Sequence, residues 1–410
     1  STHSILKAKP TRGGTSVAWL AVGLFLGGAA LVLSWALGHA VRRLAPRVGL
    51  VDVPGGRKAH QVPTPLGGGL AIASATTFIL GCGWLAVGPL RPWLPLPEPL
   101  AIHADGLRDK AGTLWLLIGL SWLILLMGLA DDRRALNWRP RLAIQFALAG
   151  MFVWWGDRIT LFWPLSQPLV SGGLTVLWIV GLTNAFNFLD NMDGLAAGVA
   201  LIAAALLAAA SALVGGLFVP VALIVLIGAL AGFLIHNRPP ARLFMGDAGS
   251  NFLGFVLGGL SVLGTFTRVE GVGPVAYAPH AALTPLLVMA VPLYDTISVI
   301  LIRLREGRSP FQPDRRHFSH RLVARGLTPP RAVATIHLVT LAGGLGALLL
   351  HRLDGLGAAV VASQTLCLLG IVAILESTSG ASATLPVNSQ PQAIQSNERP
   401  EEGDGVRQAS

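Results

Sequence analysis

Apolar runs of about 20 residues, each closed by a short polar break, recur along most of this sequence. A helix of that length rises about 30 Å, enough to cross the hydrocarbon core of a bilayer, and satisfies its own backbone hydrogen bonds. The runs are continuous rather than alternating, which argues against a transmembrane β-barrel. Composition agrees. Of 410 residues, 53% are hydrophobic and only 12% are charged, with a mean hydropathy of +0.64, whereas soluble domains carry about 25% charged residues. The expected fold class is an all-α polytopic membrane protein. Its spans are expected at 17–41, 66–88, 112–130, 141–155, 170–186, 194–215, 217–236, 250–266, 282–303, 331–351 and 355–376, eleven in all. The 141–155 span rises only about 22 Å, so it tilts or extends.

The net charge of +10 matters through its distribution. One set of loops holds nineteen Lys and Arg residues, among them Arg42, Arg57, Arg133, Arg141, Arg242, Arg303, Arg315 and Arg331, and the opposite loops hold nine. Basic loops stay in the cytoplasm. The N-terminus is therefore expected outside and the C-terminus in the cytoplasm, and the charge marks topology rather than a nucleic-acid partner. The first apolar run is too long for a signal-peptide core and is kept as a helix. Cys82 and Cys367 lie within apolar runs and read as packing residues. Residues 1–376 form one membrane domain with cytoplasmic loops at 42–65, 131–141, 187–193, 237–249 and 304–330. The polar stretch 377–410 is expected to be disordered. An outer loop at 89–111 with five prolines is expected along the membrane surface. No internal repeat is evident, which weighs against a transporter.

Four polar segments at the ends of apolar runs fall on the cytoplasmic side of this topology. Asp131-Asp132 closes the third run. Adjacent carboxylates repel, and a divalent cation or an arginine offsets that repulsion; the plainer reading is a helix end solvated with Arg133 and Arg134. Asn184, Asn187, Asp190 and Asp193 follow the spacing i, i+3, i+6, i+9. If the helix continues through them, they share one slowly drifting face of oxygen ligands suited to a hard cation such as Mg²⁺. In Phe244-Met-Gly-Asp247-Ala-Gly-Ser250, Asp247 or Ser250 could serve as a helix cap. Gly246 and Gly249 also allow backbone N–H groups to approach a phosphate. The fourth segment, around His317-Phe-Ser319-His320, is the most basic loop, and its Arg and His donors suit a diphosphate. Lys58 and His60 add cations on the same face. Asp295 lies inside a predicted span, either as a functional carboxylate or as a partner for a neighbouring helix. His39, His337, His351, Glu376 and the tryptophans read as interfacial or packing residues.

Taken in order, these segments resemble the polyprenyl-phosphate N-acetylhexosamine-1-phosphate transferases. The matching residues are Arg57-Lys58-Ala-His60, Asp131-Asp132, Asn184-Ala-Phe-Asn187-Phe-Leu-Asp190-Asn-Met-Asp193-Gly194, Phe244-Met-Gly-Asp247, Pro292-Leu-Tyr-Asp295 and Asp314-Arg-Arg-His317. The resemblance spans about residues 51–325. It implies transfer of N-acetylglucosamine 1-phosphate from UDP-GlcNAc to undecaprenyl phosphate, releasing UMP, at the cytoplasmic face of a bacterial inner membrane. That step initiates cell-wall or surface-polysaccharide assembly. It implies Mg²⁺, with Mn²⁺ as a substitute, held by Asn187 and Asp247. Phe244 would stack on uracil, and Asp131 and Asp132 would place the acceptor phosphate or take its proton. Asp190 and Asp193 join the catalytic set, and Lys58, His60, Asn184, Arg315, His317 and His320 join the substrate-binding set. The implied partners are a UDP-N-acetyl sugar, undecaprenyl phosphate and the lipid bilayer, with a homodimer as the assembly allowed.

Two positions depart from the family pattern. The histidine block commonly reads His-x-His-His, and here Ser319 replaces one imidazole, which opens the identity of the sugar. Asn191 stands where glycine is frequent. Within the class the alternatives are a phospho-N-acetylmuramoyl-pentapeptide transferase, which typically has both termini outside, or a transferase of another UDP-N-acetyl sugar. Outside the class the alternative is an ion-coupled transporter or lipid flippase. That reading needs carboxylates near mid-membrane, and Asp295 is the residue that fits it.

Overall fold

The computed structural model describes residues 12–53, 62–94, 104–159, 167–264, 268–269, 276–309 and 316–377. Its long helices are α1 (Arg12–Leu44), α2 (Gly68–Val87), α3 (Ala104–Arg133), α4 (Trp138–Trp155), α5 (Pro168–Leu189), α6 (Leu195–Leu213), α7 (Phe218–Asn237) and α8 (Gly246–Leu263). A short α9 (Thr284–Val288) leads into α10 (Ala290–Arg305), followed by α11 (Phe318–Ala324), α12 (Pro329–Leu345) and α13 (Gly355–Ser377). Each expected span falls on a helical segment. Eight are long and apolar enough to cross a membrane, and the bent pair Pro279–Val288 and Ala290–Arg305 makes a ninth. The remaining two are α4 and α8. Part of the expected surface loop is helix instead, because α3 begins at Ala104 and runs for 30 residues. The tail at 378–410 lies outside the described residues.

The 65° bend before α10 has a local cause. Pro292 supplies no N–H for the first turn of α10, so the bonding pattern breaks where its partner would have been. Helix α8 forms the centre of one half of the bundle, packed by α2, α3 and α5. From Gly246 to Ser261, all its residues except Asp247 are buried. Small residues make that burial possible. A Cβ at Gly249 would meet the backbone of Gly69, one at Gly254 the backbone of Leu182 and Thr183, and one at Gly128 the backbone of Asp247 and Ala248. Close backbone approach of this kind holds helices together where lipid removes the hydrophobic drive between them. The other half is built on α7, which packs against α1, α2 and α6.

Helix direction brings the polar segments to one end. The C-terminal ends of α3, α5, α7 and α10 meet the N-terminal ends of α2, α4, α6 and α8 there. The last turn of α13 is at the same end, because Glu376 accepts a hydrogen bond from Arg321 on α11 at 2.8 Å. Two short strands, β1 (Val51–Asp52) and β2 (Thr64–Pro65), pair antiparallel beside it. A second small pair, β3 (Arg268–Val269) and β4 (Ala276–Tyr277), joins the segment after α8 to itself.

Candidate active site

The start of α8 has an unusual cap. Its residue Asp247 and the following Ala248 present backbone N–H groups with no partner inside the helix, and the Asp132 carboxylate at the end of α3 accepts both, at 2.8 and 3.2 Å. A charged acceptor on two helix N–H groups contributes about 1.5–3 kcal/mol for each bond. The geometry requires glycine at 246, where φ is +75° and a Cβ would strike the Asp132 carboxylate. These N–H groups are thus occupied by Asp132 and not open to a phosphate, and neither Asp247 nor Ser250 is the cap. The expectation for Gly246 and Gly249 is corrected accordingly: both are small because other groups crowd against them.

Arg141, at the start of α4, ties the acids together. Its guanidinium is ion-paired with buried Asp131, and it reaches Asn187 Oδ1 at 3.2 Å and Asp247 Oδ2 at 3.5 Å. The sequence left the neutralising group open between a divalent cation and an arginine, and placed Arg133 and Arg134 beside the pair only as solvated neighbours. Arg141 takes the role because α4 turns back across the end of α3, and Asp131 further anchors that turn by accepting the Leu136 N–H at 2.6 Å. Asn187 Nδ2 donates to Asp247 Oδ1 at 2.8 Å and to Ser250 Oγ at 3.1 Å. Asn184, one turn earlier, donates to Gln145 Oε1 at 2.6 Å, and Gln145 donates to Asn251 Oδ1 at 3.3 Å. Gln145, Asn251 and the central role of Arg141 were missed from sequence.

The even spacing of Asn184, Asn187, Asp190 and Asp193 does not survive as one helical face. Helix α5 ends at Leu189, Asp190 is its C-cap, and Gly194 at φ +73° starts α6. Asp190 stays with the acids. Burial first, then the Asp247, Asp132 and Asp193 carboxylates, push its carboxyl well above the usual range. Asp193 turns away to accept the Ala241 N–H at 2.8 Å, and Asn237 accepts the Gly194 N–H at 2.9 Å. Together they pin the loop that leads to Phe244. Phe244 is fixed through its backbone, donating to Pro65 O at 2.9 Å and accepting from Gly68 N–H at 2.9 Å. Lys58, His60 and Arg315 lie outside the described residues. The ends of the 53–63 segment are nonetheless fixed by β1 and β2, next to Phe244.

The histidine segment packs beside the end of α5, through Phe188. His317 Nδ1 is 3.0 Å from the Asp295 carboxylate, which also accepts the Phe318 N–H at 2.6 Å. Asp295 is fully buried. The residue that best fitted a transporter is therefore an anchor for the histidine helix. The Phe188 ring lies 5.7 Å from the His317 ring and 5.6 Å from the guanidinium of buried Arg303. Sequence reading treated Arg303 as a topology signal only. His320 is half-buried on the same short helix. Glu376, expected to be a packing residue, is a buried acceptor for Tyr294 Oη at 3.0 Å and Arg321 Nε at 2.8 Å.

Asn187 and Asp247 fit the hard cation that the resemblance implies. Asn187 Oδ1 and Asp247 Oδ2 both face a cation already, the Arg141 guanidinium, while the Asn187 amide nitrogen donates to Asp247 Oδ1. Among the described residues no group of three or more His, Cys, Asp or Glu side chains forms a cage. A site with few protein oxygens suits Mg²⁺, which keeps waters and takes substrate phosphate oxygens.

Comparison with known proteins decides the family. Residues 114–265 match glycosyl transferase family 4, a span that includes Asp131, Arg141, Asn187 and Asp247. A Bacillus subtilis (strain 168) protein named "Probable undecaprenyl-phosphate N-acetylglucosaminyl 1-phosphate transferase" is 33% identical over 320 residues, which cover 76% of this chain and 80% of that protein. The chain belongs to the polyprenyl-phosphate N-acetylhexosamine-1-phosphate transferases of glycosyl transferase family 4. Other relatives agree. The decaprenyl-phosphate N-acetylglucosaminephosphotransferase of Mycolicibacterium smegmatis is 36% identical over 337 residues, covering 76% of this chain and 77% of the relative. The undecaprenyl-phosphate alpha-N-acetylglucosaminyl 1-phosphate transferase of Escherichia coli (strain K12) is 28% identical over 315 residues, covering 74% and 76%. Membership makes this chain a membrane-embedded sugar-phosphate transferase.

Proposed function

We propose that this transferase moves N-acetylglucosamine 1-phosphate from UDP-GlcNAc to undecaprenyl phosphate at the cytoplasmic face of a bacterial inner membrane. The observation that carries the reading is the knot of Asp131, Asp132, Arg141, Asn187 and Asp247 at one end of an apolar bundle. A phosphate oxygen of the lipid attacks the donor phosphorus that bears the sugar. The bond from that phosphorus to the bridging oxygen breaks, and UMP leaves with the bond's electron pair. The lipid phosphate has a second pKa of about 6, so no strong base is required. Positioning and charge neutralisation then carry the rate. Asn187 and Asp247 would hold Mg²⁺, which when bound neutralises diphosphate charge. Arg141 holds Asn187 and Asp247 in register, and Asp132 fixes the start of α8 so that Asp247 points into the site. His317, seated by Asp295, and His320 also meet the donor. The excess of basic residues on the loops at this end supports the cytoplasmic orientation.

The test is UMP release by purified protein in lipid nanodiscs supplied with UDP-GlcNAc, undecaprenyl phosphate and Mg²⁺. Release that needs all three, with a lipid-diphosphate-GlcNAc product by mass spectrometry, is expected. Folded protein that stays silent across UDP-N-acetyl sugars would sink the reading, and activity with a different sugar would correct its donor.

A further inference from the structure

The two positions at which this chain departs from the family pattern, 128 residues apart, are in contact. Ser319 Oγ donates to Asn191 Oδ1 at 2.5 Å, and Asn191 Nδ2 donates in turn to Phe188 O at 2.7 Å. Ser319 is 1% exposed, so its hydroxyl does not face a substrate. The chain of bonds runs from α11, through the turn that carries Asp190, to the backbone of Phe188, whose ring touches His317. An imidazole at 319 would need the volume that the Asn191 amide fills. Glycine at 191 would vacate that volume and leave the Ser319 hydroxyl buried without its partner. Each departure makes sense only with the other.

We propose that Asn191 and Ser319 are a matched positioning pair that sets the placement of His317 and His320 against the acid turn, and with it the fit of the UDP-sugar donor. Asp295 fixes the first turn of α11 from one side, and the Asn191–Ser319 bond fixes it from the other. The sugar specificity of this transferase therefore depends on two residues that do not touch the sugar. The kinetic part rests on the donor-binding reading above, and a second readout is independent of it.

The experiment compares full-length wild type, Asn191→Gly, Ser319→His and the double variant in nanodiscs. Each single change is expected to lower kcat/KM about tenfold, equivalent to about 1.4 kcal/mol. The loss should appear in the KM for the UDP-sugar and not in that for polyprenyl phosphate. The double variant should recover to within about threefold of wild type and change the ratio of kcat/KM for UDP-GlcNAc over UDP-GalNAc. Additive losses, or singles indistinguishable from wild type, overturn the pairing. Recovery with an unchanged donor ratio overturns the specificity role. If wild type proves inactive with every donor, the functional reading fails by itself. Amide hydrogen exchange still tests the pair in that case: exchange across 317–324 should quicken in Asn191→Gly, and unchanged exchange overturns it.

Discussion

Around the start of α8, the candidate carboxylates and amides project from long helices that glycine contacts press together at backbone distance. His320 instead rides on a seven-residue helix, α11, with His317 as its N-cap residue, and side chains from distant parts of the chain hold it. Asp295, Asn191, Ser298 and Glu376 all bond to it or to its flanking residues. The acid end is thus fixed by the same packing that stabilises the bundle. The histidine end is fixed by a few polar bonds. On the proposed function, loss of one of those bonds would shift α11 without unmaking the bundle, so the acid end would set whether the reaction runs and the histidine end would adjust what is accepted.

This contrast can be broken by mutation. The largest effect is expected for Asp247→Ala, which should lower turnover by about a thousandfold or more. The protein should still elute as a folded species, because Arg141 keeps its ion pair with Asp131. Near-normal turnover at limiting Mg²⁺ would remove Asp247 from the metal site. Asp132→Ala should lower both turnover and stability. It leaves two buried helix N–H groups without an acceptor, at about 3 kcal/mol or more, read as a fall in the thermal midpoint in detergent. Equal stability to wild type would refute the cap.

At the histidine end, stability and activity should separate. Asp295→Asn keeps an acceptor for the Phe318 N–H but weakens the seat of His317, and a tenfold loss in kcat/KM is expected with little change in midpoint. A collapse in stability with no kinetic change in the surviving protein would make Asp295 a folding residue only. Glu376→Gln should be the mildest. It keeps a neutral acceptor for Arg321 but loses the charge, at about 1 kcal/mol, with a few-fold kinetic loss, and steady-state assays on the full chain would detect it. An effect as large as that of Asp247→Ala would erase the contrast between the two ends.

The sequence alone gave the helical segments, the apolar character of the bundle and the polar clusters, because periodicity, run length and local charge are properties of neighbouring residues. It could not rank Arg141 above Arg133, Arg134 and Arg139. All four fall within nine residues of sequence, and only the return of α4 across α3 selects the one that meets Asp131. Nor could it place the helix end at Leu189, since regular spacing of polar residues fits a continued helix as well as a turn. The cap on α8 joins positions 115 residues apart, and the clamp from Arg321 to Glu376 joins positions 55 apart. Asn191 and Ser319 were each visible in the sequence as a departure, but not as a pair. Local chemistry determined which segments could carry function; the packing of helices, which brings distant segments within hydrogen-bond reach, decided which residues work together.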